Sequence, residues 1–509
     1  MDKSYKFGIS RCGLLMLVIA WGTFSGCSKN FLNRQPLGQY TTGNYPYPKG
    51  QGPFDQYIFA AYASLRTYQC TGFGYIGAVS IRSDDADKGS TPADGAVQIQ
   101  MDNFPVMPDN SLCNDLWTGY YAAINNCNIV LHQVAIDSTH ASEAVKMEAE
   151  AEARFLRGYD YFMLVRLFGN IPLIDSVSSS ISASNIPQSP SSVIYAFIKE
   201  DLQFAAAHLP LQWPDQYIGR ATSGAANGML AKVYLYEKKW QQAMATADIV
   251  INSGVYNLNT PYDQIFTEAG ENGSGSVFEI QAYADANHKE DVNYGGCQYA
   301  ELQGVRGSSW DNLGWGFNDP SMQLVNAYEP GDPRESSTIL FCPGTQPTRY
   351  GELFPAEPNP RYNMKVYTDP AWRKKVGDQF GWWWNVRILR YSDVLLMYAE
   401  AANETGQTDD ALGALEQVRN RARNGNPNIL PEITTQNQDA LRHAIWHERR
   451  IELAMEGERF FDIVRWGIAD SCEHADGKMN FEAARDGLLP VPQQQIDLSK
   501  GVLKQNPGY

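Results

Sequence analysis

The chain has no surplus of positive charge, no cysteines at metal-ligating spacing and no apolar run long enough for a bilayer. Each absence removes a class of function. Its 41 Lys and Arg stand against 57 Asp and Glu, a formal net charge of −16, so no basic stripe is available to bind nucleic acid or an anionic lipid surface. A neutral ligand fits that balance. Cys70, Cys113, Cys127, Cys297, Cys342 and Cys472 are too far apart for C-x-x-C metal or redox motifs. Cys113 and Cys127, on one helix, would stand about 21 Å apart and could not pair; other pairings and free buried thiols both stay open. The run CGLLMLVIAWGTF falls short of the roughly 20 residues a bilayer span needs. Behind Lys3, Lys6 and Arg11 it reads instead as an export signal over residues 1–26. Ser25 and Gly26 before Cys27 form a lipobox, which makes Cys27 the lipid anchor and residues 27–52, rich in Gly, Pro, Tyr and Gln, a tether.

Catalytic and cofactor motifs are also missing. Gly72, Gly74 and Gly77 spell G-x-G-x-x-G, but a helix precedes them and a polar loop follows, the reverse of a dinucleotide site. His447 and Glu448 open HERRI, with Ile451 where a zincin needs its second histidine. Asp84, Asp85 and Asp87 make a compact acidic loop without EF-hand spacing. A hydrogen-bonding loop at a binding rim is its simpler use; calcium is the alternative, and no other cofactor is expected. No pair of carboxylates stands out as a glycosidase acid and nucleophile, and no nucleophile elbow occurs. A non-enzymatic protein is expected.

Helical periodicity is abundant. Residues Ile388, Tyr391, Leu395, Tyr398 and Ala402, then Ala411, Leu415, Val418 and Ala422, each mark one face of a helix. Gly406 stops the first helix, and Thr408 with Asp409 offers caps for the second, giving an antiparallel hairpin. A third helix, Asp439 to Glu456, carries Glu448, Arg449, Arg450, Glu452 and Glu456, read with Arg459 as pairs at helical spacing. Further helices are predicted over Phe54–Tyr68, Asp115–Val134, Ser142–Phe168, Ser191–His208, Ser223–Glu237 and Lys239–Ile251. The last two form a second hairpin resembling a tetratricopeptide unit. A long irregular stretch to about Asp109 reads as a functional or lid-like loop. The fold class is mainly α: a tetratricopeptide-like framework in parts 53–251 and 387–509, with a loop-rich lobe of short β-strands over 252–386.

That lobe holds the candidate ligand residues. Tyr294, Tyr299, Trp310, Trp315 and Phe317 are interleaved with Gly, Asn and Asp, including Asp311 and Asn312, rather than with aliphatics. Flat rings on such loops stack on the apolar face of a sugar while polar neighbours bond its hydroxyls. Phe73 and Tyr75 form a second set, with Asp84 and Asp85 at the rim. Trp382, Trp383 and Trp384 read mostly as core.

The strings RYSDVLLMYAEAANETG, ALEQVRNRAR, ERRIELAMEGERFFDIVRWG and the terminal LLPVPQQQIDL and LKQNPGY resemble the SusD/RagB family of outer-membrane nutrient-binding lipoproteins. The resemblance implies a cell-surface oligosaccharide-binding protein that caps a SusC-type TonB-dependent transporter, its expected partner. It also allows the alternative of peptide or protein uptake, as in RagB-type members. No family motif carries the ligand residues over; those named above rest on composition and placement.

Overall fold

A computed structural model describes residues 52–139, 141–177 and 185–509. The signal stretch 1–26, Cys27 and the tether up to residue 51 lie outside the described residues. Residues 54–137 and 142–509 form one compact unit.

Helices α1 (Asp55–Leu65), α2 (Ser111–Ala135), α3 (Glu143–Phe168), α4 (Ser191–His208), α5 (Ser223–Tyr236) and α6 (Trp240–Ile251) each pack on the next. Side chains fix several starts: Asn110, Ser142 and Thr222 accept the N–H groups of Leu112, Val145 and Ala225. Helix α3 is buried on every side from Phe155 to Phe168, as expected of a helix at the centre of a core. Helices α7 (Tyr391–Glu404), α8 (Thr408–Arg423), α9 (Gln438–Glu452) and α10 (Arg459–Trp466) follow the lobe. Helix α6 packs directly on α7, so the two hairpins stack as one tetratricopeptide-like framework across the intervening lobe. Of the described residues 52% are helical and 7% lie in strands, so the class is mainly α. Gly406 takes the left-handed φ of +77°. Thr408 is already helical, however, and the cap position belongs to Gln407, whose side chain makes no capping bond.

Eight short strands pair in four two-stranded ladders among the described residues: β1 (Ala86–Gly89), β2 (Ile171–Pro172), β3 (Gln188–Ser189), β4 (Ser276–Ile280), β5 (Phe317–Pro320), β6 (Ile339–Phe341), β7 (Arg361–Asn363) and β8 (Val386–Arg390). Antiparallel pairing of β4 with β8, Ser276 opposite Arg390 and Ile280 opposite Val386, brings the two ends of the lobe together at its base. Pairing of β1 with β5 stitches the lobe to the N-terminal part.

The expected lid before Asp109 is instead core. Short helices Phe73–Ile76 and Gly77–Ile81, strand β1 and helix Ala96–Asn103 occupy it, and Gly74 to Ala86 are buried throughout. The charges of α9 are also arranged differently from the expected ladder along one helix. Glu448, Arg449 and Glu452 are buried, so compensating charge has to arrive from packed elements. Arg334 reaches Glu448 at 2.5 Å and Glu452 at 3.3 Å. Arg390 and Arg421 meet Glu452 at 2.7 and 2.5 Å, and Arg449 meets Asp393 at 2.8 Å. Burial penalises the charged form of Glu452, yet Arg421, Arg390 and Arg334 outweigh it and hold the carboxyl below the ordinary range. All six downstream cysteines are free thiols, with Cys113 and Cys127 on the same helix α2.

Candidate functional site

Two of the predicted aromatic sets meet in space. The Phe73 ring lies 5.4 Å from Trp315, tilted by 43°, and 4.7 Å from Phe317, edge-on at 72°. Tyr68 adds its edge to Phe73 at 6.2 Å. Trp315 and Tyr68 are 37% and 36% exposed, Phe73 is half-buried and Phe317 lies behind them. The Lys88 ammonium sits 5.4 Å over Phe317, held by the carbonyls of Gly89, Thr91 and Asp94. Rings contributed by the N-terminal part and by the lobe thus form one aromatic face.

Backbone bonds make the loop under Trp315 stiff. Leu313 and Gly314 donate to the Val305 carbonyl at 2.8 and 2.9 Å, and Gly316 donates to Gly304 at 2.9 Å. A Cβ on Gly304 would lie 2.2 Å from the Leu313 carbonyl, and one on Gly314 2.2 Å from that of Glu301, so these glycines serve main-chain packing. Glu301 is the junction. Its carbonyl accepts the Trp315 N–H at 2.8 Å, and its Oε2 accepts Trp382 Nε1–H and Gln298 Nε2–H, each at 2.9 Å. Burial pushes the Glu301 carboxyl up; those two bonds oppose the shift, and Glu290 and Asp378 add to it. Trp382 is half-buried beside this carboxylate while Trp383 and Trp384 are core.

The remaining predicted residues are dispersed. Trp310, 46% exposed, packs on Phe354 at 5.1 Å, capping the lobe's own core of Val305, Leu313, Leu340, Tyr362 and Met364. Asn312 is half-buried beside it. Asp311 is buried, and its Oδ1 accepts the N–H groups of Ser308 and Ser309 at 3.0 and 2.8 Å, so that oxygen holds the turn. Tyr294, 47% exposed, stacks on His288 at 3.6 Å and tilts against Tyr283 at 5.8 Å, apart from the Phe73 cluster. Tyr75 and Tyr299 are both buried, edge-on to each other at 6.2 Å; neither offers a ring face to solvent. Asp84 and Asp85 are not at a rim. They are buried against Arg459 at 2.7 Å and Arg450 at 2.7 Å, because carboxylates inside a core must be paired. Burial pushes Asp85 up, whereas Arg459 and Arg450 overcome burial and pull Asp84 down. Asp87 turns to Arg361 at 3.9 Å, so the three carboxylates of the acidic loop do not converge on a cation. Among the described residues no group of three His, Cys, Asp or Glu side chains is placed to hold a metal.

Sequence reading missed Tyr68, Glu301 and the exposed part of Trp382. Tyr68 stands five residues before Phe73 and was available as a signal; the role of Glu301 exists only in three dimensions. A separate cleft of about 310 Å³ lies between residues 211–222 and β4, with Trp213, Tyr256, Asn272 and Glu279 in its walls. Its polar groups are largely spent on one another. Trp213 Nε1–H donates to the Ala221 carbonyl at 2.7 Å, the Tyr256 hydroxyl bonds Thr222 at 2.8 Å, and the Asn272 and Gln281 amides bond reciprocally. The aromatic face is the better candidate.

Residues 362–509 match the SusD family, and residues 80–235 match a family described as starch-binding and associating with the outer membrane. The chain carries SusD/RagB family domains. SusD-like protein P2 of Formosa agariphila is 29% identical over 96% of this chain and 97% of its own length. Among solved structures, a laminarin-binding SusD-like protein is 27% identical with a TM-score of 0.75, covering 90% of this chain and 99% of its own. Surface glycan-binding protein A from Bacteroides fluxus is 26% identical with a TM-score of 0.76, covering 91% and 100%. The SusD-like fold therefore extends over framework and lobe together.

Proposed function

We propose that this SusD-like chain is a non-enzymatic cell-surface lipoprotein that captures an oligosaccharide on the face of Tyr68, Phe73 and Trp315. It then passes the ligand to a SusC-type TonB-dependent transporter in the outer membrane. The observation that carries the reading is the set of exposed and half-exposed rings, joined from two parts of the chain and backed by a loop that main-chain bonds hold rigid. Sugar rings stack on such a surface without reorganising it. The glycan-binding names of the related structures support the ligand class, and the outer-membrane description of the matched family supports the location.

Calorimetry with laminarihexaose, maltohexaose and a mixed peptide library tests the ligand class. A hexasaccharide is expected to bind, and Trp315→Ala should weaken it by about tenfold, the loss of ~1–1.5 kcal/mol of stacking. Peptide binding with no response to either sugar would favour the RagB-type alternative. Anchoring at Cys27 predicts incorporation of a labelled fatty acid that Cys27→Ser abolishes; retained label would remove the anchor assignment.

A further inference from the structure

We infer that the groove between α8 and residues 431–437 is a docking site for an extended, basic segment of a partner protein, which pairs along the exposed main chain of residues 432–436. The inference is independent of what the aromatic face binds.

Three observations carry it. First, residues 431–437 run without turn or bend, and exposed Glu432, Thr434 and Gln436 alternate with half-buried Ile433 and Thr435, the period of a strand. Among the described residues no backbone N–H or carbonyl of residues 432–436 has a hydrogen-bond partner. The segment is nevertheless pinned at both ends. Arg423 and Arg419 donate to the carbonyls of Leu430 and Pro431 at 2.7 and 3.0 Å, and Asn437 caps α9 by accepting the Ala440 N–H at 2.9 Å. A fixed, unpaired edge of this kind is a template for another strand.

Secondly, the space beside it is open. A groove of about 480 Å³ separates the segment from α8. Gly413 lies in its wall, within the helix, where glycine is a poor helix former; a Cβ there would meet nothing within 4 Å. From Asp409 to Asn420, both in the same wall, the helix rises about 16 Å, the length of about five extended residues. Thirdly, the walls are acidic. Asp409, Glu416 and Glu432 line the groove and no Lys or Arg does. Arg423 answers Glu416 at 2.9 Å and also acts on Glu432, while Arg419 turns away to Glu329 and Glu448. Neither Asp409 nor Glu432 joins a salt bridge among the described residues, and Asp409 stands in the first turn of α8, where the helix end favours an ionised carboxylate. Other occupants fit less well. No aromatic ring lines the groove, so it lacks a stacking surface for sugars, and two copies paired edge to edge would oppose like charges.

The probe is the labelled peptide Lys-Thr-Val-Lys-Val-Thr-Lys. Fluorescence polarisation compares it with its Glu-for-Lys counterpart and with two versions N-methylated at odd or at even positions. The Lys peptide should bind the wild-type chain with a Kd below about 1 mM, weaken as salt is raised, and bind at least about tenfold more tightly than the Glu peptide. One methylated version should lose about tenfold, because a paired strand turns only alternate N–H groups to its neighbour. Gly413→Met, which grows into open space, should weaken binding by at least about tenfold, and Gly413→Ala should stay within about threefold of wild type. Glu432→Gln, at an exposed position, should weaken the Lys peptide by about threefold and flatten its salt dependence; it serves if Gly413→Met does not fold. Equal binding of the Lys and Glu peptides, two methylated versions that bind like the parent, unchanged binding in the folded variants, or no binding at all overturns the inference. So does displacement of the peptide by laminarihexaose, which would make the groove a sugar site. A wild-type dimer in sedimentation that Gly413→Met dissolves overturns it as well, giving the groove to a second copy.

Discussion

At the scale of single residues, two buried groups make the sharpest statements. Arg334 serves three carboxylates, Asp332, Glu448 and Glu452, at 2.8, 2.5 and 3.3 Å. Arg334→Met removes a cation without removing the charges it answers, and stability should fall by about 3–5 kcal/mol in chemical denaturation; a loss below ~1 kcal/mol would show that Arg390 and Arg421 suffice. Glu271 is the opposite case. Burial raises its carboxyl to about 8, with Arg387 at 3.3 Å opposing and Glu279 adding to the rise. Between the ordinary value of 4.5 and about 8 the folded chain therefore holds a proton that the unfolded chain has lost. Stability from this group is complete below 4.5 and drains away as pH rises through 8. Glu271→Gln should keep the bonds to Asn385 and Arg387 and gain ~1–3 kcal/mol over wild type near pH 8, with little gain at pH 4. The comparison is read from melting curves at the two pH values. Glu452, held below its ordinary value, has the reverse sign: its contribution is present above 4.5 and is lost on further acidification.

At the scale of elements, local signals account for what was legible. Helix α4 runs over the residues its periodicity marks, Ser191 to His208, and Gly406 ends the helix hairpin as a left-handed residue should. A Cβ there meets nothing within 4 Å, so Gly406→Ala should cost only the backbone penalty, about 1 kcal/mol; a much larger cost by thermal melting would mean hidden crowding. What stayed illegible depends on partners far along the chain. Residues 73–103 read as a loop because their helices are too short to show a period. Their burial is balanced by arginines, Arg450 and Arg459, more than 350 positions away. The candidate site was half legible for the same reason. Phe73, Trp315 and Phe317 were marked by composition, yet only folding brings them together. Tyr75 and Tyr299, marked by the same composition, are inside, because the glycines beside Tyr299 serve close main-chain packing rather than an open loop.

At the scale of the whole molecule, the lobe and the framework are bound by charge as well as by the β4–β8 ladder. Arg334 and Lys365 come from the lobe, and their carboxylates, Glu448, Glu452 and Glu456, lie on or just after α9 of the framework. One cooperative unfolding transition is therefore expected in calorimetry, and two resolved transitions would contradict it. The ladder makes residues 281–385 resemble a cassette that leaves and returns through one doorway, suited to exchange between relatives with different ligands. The ion pairs say otherwise. A transplanted lobe without cations at the positions of Arg334 and Lys365 would leave Glu448, Glu452 and Glu456 of the host to Arg390, Arg419 and Arg421 alone, so diversification of this surface favours its loop tips while the charged residues beneath them travel with the scaffold.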